Sequence, residues 1–133
     1  RIGDLASLID SLPQLPSFIC LSETWLKDSD HFSIPNYNLV ADNREELRGG
    51  SAITVLKNIK FSVINNHPLI FLSHNHNVNI CIIEFTFNNK QIILISIYNP
   101  PNNPALNRNT SFWDRFFVFC DQYSNIIVLG DFN

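Results

Sequence analysis

Residues 78–98 read Val78-Asn79-Ile80-Cys81-Ile82-Ile83-Glu84-Phe85-Thr86-Phe87, then Asn88-Asn89-Lys90, then Gln91-Ile92-Ile93-Leu94-Ile95-Ser96-Ile97-Tyr98. Val78 to Phe87 and Ile92 to Tyr98 are dense in Ile, Val and Phe, which suit a pleated and buried surface, and both have strand length. Asn tolerates positive φ better than most residues, so Asn88-Asn89-Lys90 predicts the turn of a hairpin. Working outward, Tyr37 to Ala41, Ser51 to Leu56 and Phe61 to Ile64 are further predicted strands. Phe18-Ile19-Cys20-Leu21 and Ile126-Ile127-Val128-Leu129 are short continuous apolar runs, the pattern of strands buried on both faces. Ile2, Leu5, Leu8, Ile9 and Leu12 recur at helical spacing and stop at Pro13 and Pro16, which predicts an amphipathic helix. Ser111 with Asp114 three residues on has the form of a capping box, opening a helix that turns Phe112, Phe116, Phe119 and Cys120 inward. Between them, Asn99-Pro100-Pro101-Asn102-Asn103-Pro104 cannot continue a central strand, because its prolines remove backbone donors. The order is helix, many strands, helix, strand: a mixed α/β chain with sheets covered by helices.

Length and composition bound what such a chain does. The 133 residues fit one globular unit or a piece of one, and the eleven Phe supply bulk for a core. A net charge of −3 excludes a histone-like basic protein and an acidic disordered tail. Methionine is absent and the first residue is Arg1, so an internal fragment or processed segment is expected. Asp4 and Asp10 interrupt what a signal peptide would need as an apolar stretch, and no apolar run reaches the roughly 18 residues of a membrane span. Cys20, Cys81 and Cys120 sit among apolar neighbours at wide spacing, as reduced core thiols do, which points to a reducing compartment.

Glu23, Tyr98 and Asp131 each come where an apolar strand ends. Polar residues ordinarily resume there, but in layered α/β proteins that edge also aims side chains from distant sequence positions into one cleft. Asp131 and Asn133, spaced i, i+2, point to one side of an extended segment and turn Phe132 to the other. Gly130 before them lets backbone lie close to a ligand, or is an ordinary turn glycine. Carboxylates so presented suit Mg²⁺, which takes few protein oxygens and keeps waters for a phosphate. Arg48, in Arg-Glu-Glu-Leu-Arg-Gly-Gly-Ser, offers paired donors to phosphate oxygens, or belongs to a solvated loop. From Leu47 to Trp113 there are five Lys and Arg against one acid, an excess that would favour nucleic acid if these side chains share a face. His74 and His76 lack further ligands at zinc spacing and read as part of a polar loop. Asn109-Thr110-Ser111 matches the glycosylation acceptor pattern but has no secretory context.

Four phrases occur in order: Leu21-Ser22-Glu23-Thr24-Trp25-Leu26, Arg48-Gly49-Gly50-Ser51-Ala52-Ile53, Ser96-Ile97-Tyr98-Asn99-Pro100-Pro101 and Leu129-Gly130-Asp131-Phe132-Asn133. Together, over nearly the whole of residues 1–133, they resemble the endonuclease domain of LINE-type (non-LTR, jockey-like) retrotransposons, in the endonuclease/exonuclease/phosphatase superfamily. The resemblance implies a two-sheet α/β sandwich, incomplete at both ends, that lacks the family's first strand and its C-terminal Asp-His part. It implies hydrolysis of a DNA phosphodiester with Mg²⁺, or alternatively Mn²⁺, to give a nick that primes reverse transcription. It implies Glu23 as metal ligand, Tyr98 as donor to a phosphate oxygen and Asp131 as the group that orients or deprotonates water. Asn133 would be a second polar contact, and Arg48 and Asn99 substrate-binding residues. DNA and a reverse transcriptase domain in the same polyprotein are the implied partners. The implied setting is intracellular, nuclear when acting on target DNA, with no membrane association and no secretion. A chain without the late histidine is expected to cleave poorly or not at all alone. The alternatives are another phosphoesterase of the same superfamily, a phosphatase or exonuclease, and a non-catalytic decayed remnant that acts at most as a binding module.

Overall fold

The computed structural model describes residues 2–43, 49–104 and 111–133. Among the described residues, ten elements follow in order: α1 (Ile2–Asp10), β1 (Phe18–Ser22), β2 (Tyr37–Asp42), β3 (Ser51–Leu56), β4 (Phe61–Val63), α2 (Pro68–Asn75), β5 (Asn79–Phe87), β6 (Lys90–Tyr98), α3 (Ser111–Cys120) and β7 (Ile126–Asp131). They build two sheets, one of three strands in the order β1-β3-β2 and one of four in the order β4-β5-β6-β7. All pairings are antiparallel except β6 with β7, which is parallel and reached by the crossover through α3.

Strand alternation divides the apolar side chains into three layers. Ile80, Ile82, Ile93, Ile95 and Ile97 face the helices and pack with Leu69, Phe112, Phe116 and Phe119. Cys81, Ile83 and Leu94, on the opposite side of the same strands, meet Ile53 and Val55 of the smaller sheet. The outer side of that sheet closes over Ile9, Ile34 and Tyr37. β3 is buried on both faces because it is central in its sheet and covered on both sides. The β5–β6 turn is Asn88-Asn89, at φ 49° and 60°, the two positive angles of a type I′ hairpin whose twist matches its strands.

Three sequence expectations are corrected. Phe18–Leu21 is only half-buried, because β1 is an edge strand. Ile126–Leu129 is likewise at an edge: Ile126 and Val128 pack inward, while Ile127 and Leu129 are exposed on the other face. His74 and His76 belong not to a loop but to the last turn and C-cap of α2. Four consecutive apolar residues, Leu69 to Leu72, carry no 3.6-residue period that would reveal this helix. Its N-cap is an uncommon one, His67, whose Nδ1 accepts from the N–H of Leu69 at 3.1 Å. The three cysteines are free, and no helix among the described residues is long and apolar enough to cross a membrane.

Candidate active site

Strand direction decides which polar residues meet. β1 and β3 are antiparallel with Ser22 opposite Ser51, so the end of β1 lies beside the start of β3. The ladder continues past the regular strands. The N–H of Trp25 donates to Gly49 O at 2.8 Å, and that of Thr24 to Gly50 O at 3.4 Å. This ties the Ser-Glu-Thr-Trp phrase to Gly49-Gly50. Gly50, at φ 92°, admits no side chain, because a Cβ there would collide with the Thr24 hydroxyl. The segment so held is strained: Glu23 and Trp25 lie at φ 54° and 55°, in the left-handed region that bulky residues avoid. Such strain persists only where surrounding contacts over-determine it, and it concentrates at functional sites.

Glu23 is exposed, and its Oε1 accepts from the Tyr98 hydroxyl at 2.8 Å. Tyr98 is only 3% exposed, so a rigid ring from β6 carries its hydroxyl across the sandwich to the carboxylate. On the other side Tyr98 stands in register with Asp131 of β7. Parallel neighbours in register point to the same face, strand to strand about 4.8 Å apart. Glu23, Tyr98 and Asp131 are thereby brought to one end of the molecule. Gly130 makes the close strand approach possible, since a Cβ there would collide with the Ile97 carbonyl. Asn133 N–H donates to Asp131 Oδ1 at 3.2 Å, and the Phe132 ring turns away to meet Trp113 at 6.2 Å between centroids.

Asn99, expected at the substrate, is 4% exposed, with its side chain committed to protein. Its Nδ2 donates to the carbonyls of Phe132 and Asn133, both at 2.9 Å. Arg48 lies outside the described residues, as do Asn109 and Thr110. The described lysines of the basic stretch are not at this end: Lys57 follows β3, Lys60 precedes β4 and Lys90 opens β6, all at the opposite end of the strands. The expected basic face is therefore not assembled around Glu23 by Lys57, Lys60 or Lys90.

Sequence reasoning missed a second polar cluster at the same end. Asp42 Oδ2 accepts from Asn79 Nδ2 at 3.0 Å and Ile80 N–H at 2.9 Å, and Asp42 Oδ1 lies 3.0 Å from His74 Nε2. Asn79 Oδ1 in turn accepts from Gly50 N–H at 3.1 Å, which fixes the backbone that carries Thr24. The signal was available: Asp42 ends an apolar strand and Asn79 opens one, as Glu23 and Asp131 mark theirs.

Among the described residues, no three His, Cys, Asp or Glu side chains gather into a cage for a metal ion. Mg²⁺ does not require one. It is held by one or two carboxylates and keeps waters for a phosphate, and an exposed Glu23 anchored by one oxygen fits that demand.

No protein-family model matches the chain, and no curated protein matches it. Solved structures do. The humanized D. rerio TDP2 with 14 mutations superposes with a TM-score of 0.58 at 15% identity, covering 98% of this chain and 57% of that one. The chain has the fold of TDP2. Truncated Caenorhabditis elegans TDP2 gives 0.57 at 17% identity, over 96% of this chain and 52% of that one. D. rerio TDP2 complexed with a single-stranded DNA product gives 0.56 at 15%, over 98% and 51%. The two-sheet α/β architecture is thus of the endonuclease/exonuclease/phosphatase type that TDP2 has, and the chain spans about half the length of these TDP2 structures.

Proposed function

We propose that this chain is part of a metal-dependent DNA endonuclease of the LINE-type retrotransposon kind, which nicks target DNA by phosphodiester hydrolysis so that the released 3′ hydroxyl primes reverse transcription. The observation that carries it is the Tyr98–Glu23 hydrogen bond at 2.8 Å with Asp131 in register beside Tyr98. The TDP2 fold supports phosphodiester chemistry in general, and the four ordered phrases support the retrotransposon branch. DNA is the proposed substrate, a reverse transcriptase domain in the same polyprotein the proposed partner, and the nucleus the proposed place of action.

In this scheme Glu23 holds Mg²⁺, or Mn²⁺ in its place, and the ion when bound supplies charge stabilisation to phosphate oxygens. Tyr98 has a single O–H: donated to Glu23 it keeps that carboxylate in one orientation, and turned away from Glu23 it becomes the donor to a phosphate oxygen. Asp131 aligns and deprotonates the attacking water, and Asn133, whose N–H already holds Asp131, adds a polar contact to the scissile phosphate. Arg48 is assigned to the DNA backbone. Asn99 serves the substrate side through the Asn133 that it ties down.

One observation favours a second reading, another phosphoesterase of the same superfamily, a phosphatase or exonuclease: TDP2 structures are among those the fold matches. Supercoiled plasmid incubated with the full-length protein and Mg²⁺ separates the two. An internal nick whose 3′ end a polymerase extends directly supports the endonuclease. Activity confined to strand termini would favour the second reading, and neither activity under Mg²⁺ or Mn²⁺ would overturn both.

A further inference from the structure

Asp131 and Asn133 sit on a short segment at the end of an edge strand, which neighbouring groups must hold in place. Five hydrogen bonds join it to a single residue in the proline-rich turn or keep that residue oriented. Asn99 N–H donates to Asp131 O at 2.8 Å, Asn99 Nδ2 donates to Phe132 O and Asn133 O at 2.9 Å, and Asn133 Nδ2 donates back to Asn99 O at 3.2 Å. The fifth reaches outward: Asn103 Nδ2 donates to Asn99 Oδ1 at 3.0 Å and also to His76 O at 2.8 Å. Asn103 is 3% exposed and stands on the Pro-rich turn, between the end of α2 and Asn99.

A carboxamide has an acceptor end and a donor end, and burial makes the wrong presentation costly. Because Asn103 donates to the Asn99 oxygen, the Asn99 NH₂ must face the two carbonyls of Phe132 and Asn133. We propose that Asn103 is a positioning residue for phosphodiester cleavage: by fixing the orientation of the Asn99 amide, it locks Asp131 and Asn133 at the reacting phosphate. This rests on the proposed phosphodiesterase function. Asn103→Asp replaces the donor with an acceptor, so Asn99 must either face two oxygens with oxygen or lose its partner. Asn103→Ala removes the donor without reversing it.

The test measures steady-state plasmid nicking by the full-length protein with Mg²⁺ for wild type, Asn103→Ala and Asn103→Asp, each shown to melt cooperatively above the assay temperature. Misplacement of a reacting group by about 1 Å costs on the order of 10²-fold. The expected result is a kcat lowered about tenfold in Asn103→Ala and further in Asn103→Asp, with KM within about twofold of wild type. An unchanged kcat in Asn103→Asp, or a change confined to KM, would overturn the proposal. Hydrogen exchange at the Asn99 amide judges the relay separately from catalysis. If wild type does not nick DNA, the functional reading falls, while exchange about tenfold faster in either variant still upholds the relay and equal rates refute it.

Discussion

Tyr98 is the residue on which the proposed site turns, because its ring is fixed by burial and its hydroxyl fixes Glu23. Tyr98→Phe keeps the ring and deletes the donor. Its expected effect is a fall of about 10²-fold in plasmid nicking with less than about 1.5 kcal/mol lost in stability, read from kinetics and urea melts on one preparation. A second residue reports chiefly on burial. Burial, with the Asp42 carboxylate adding to it, pushes the Cys81 thiol far above its ordinary 9.0. The folded protein therefore keeps a proton that the unfolded chain gives up above about pH 9, so stability is full below that pH and declines as pH rises past it. The decline from this thiol is about 1.4 kcal/mol per pH unit. Cys81→Ala should flatten the melting curve's dependence on pH between 9 and 11, at the cost of some stability at neutral pH.

At the scale of elements, the paired strands were legible because β5 and β6 are long, apolar and joined by two asparagines that accept positive φ. α1 and α3 were legible from spacing, and Phe112, Phe116 and Phe119 do face the core. α2 was hidden because Leu69 to Leu72 run consecutively, and its cap, a histidine after two asparagines, resembles a turn. The edge positions of β1 and β7 were misread for a different reason: an apolar run records what a strand contacts, not how many neighbours cover it. At the candidate site, strand ends singled out Glu23, Tyr98 and Asp131, which the fold does bring to one end, whereas the proposed Asn103 lies among asparagines and prolines with no signal of its own. Phe112 joins α3 to the sheet and is fully buried. Phe112→Ala is expected to destabilise the chain by about 3–5 kcal/mol, measured by chemical denaturation.

For the whole molecule, the two sheets put the candidate site at one end and leave an exposed apolar strip on β7, with Ile127 and Leu129 44% and 48% exposed. An edge strand with such a face is a template for association. Leu129→Lys should reduce concentration-dependent self-association in light scattering and shift stability by no more than about 0.5 kcal/mol. The central claim is that three segments distant in sequence converge on one divalent ion. Mn²⁺ titrated into isotopically labelled protein tests this through paramagnetic broadening. The account predicts that signals of Glu23, Tyr98 and Asp131 broaden together at substoichiometric Mn²⁺ and that Glu23→Gln abolishes the effect at all three. Broadening that spares Asp131, or that persists unchanged in Glu23→Gln, would contradict it.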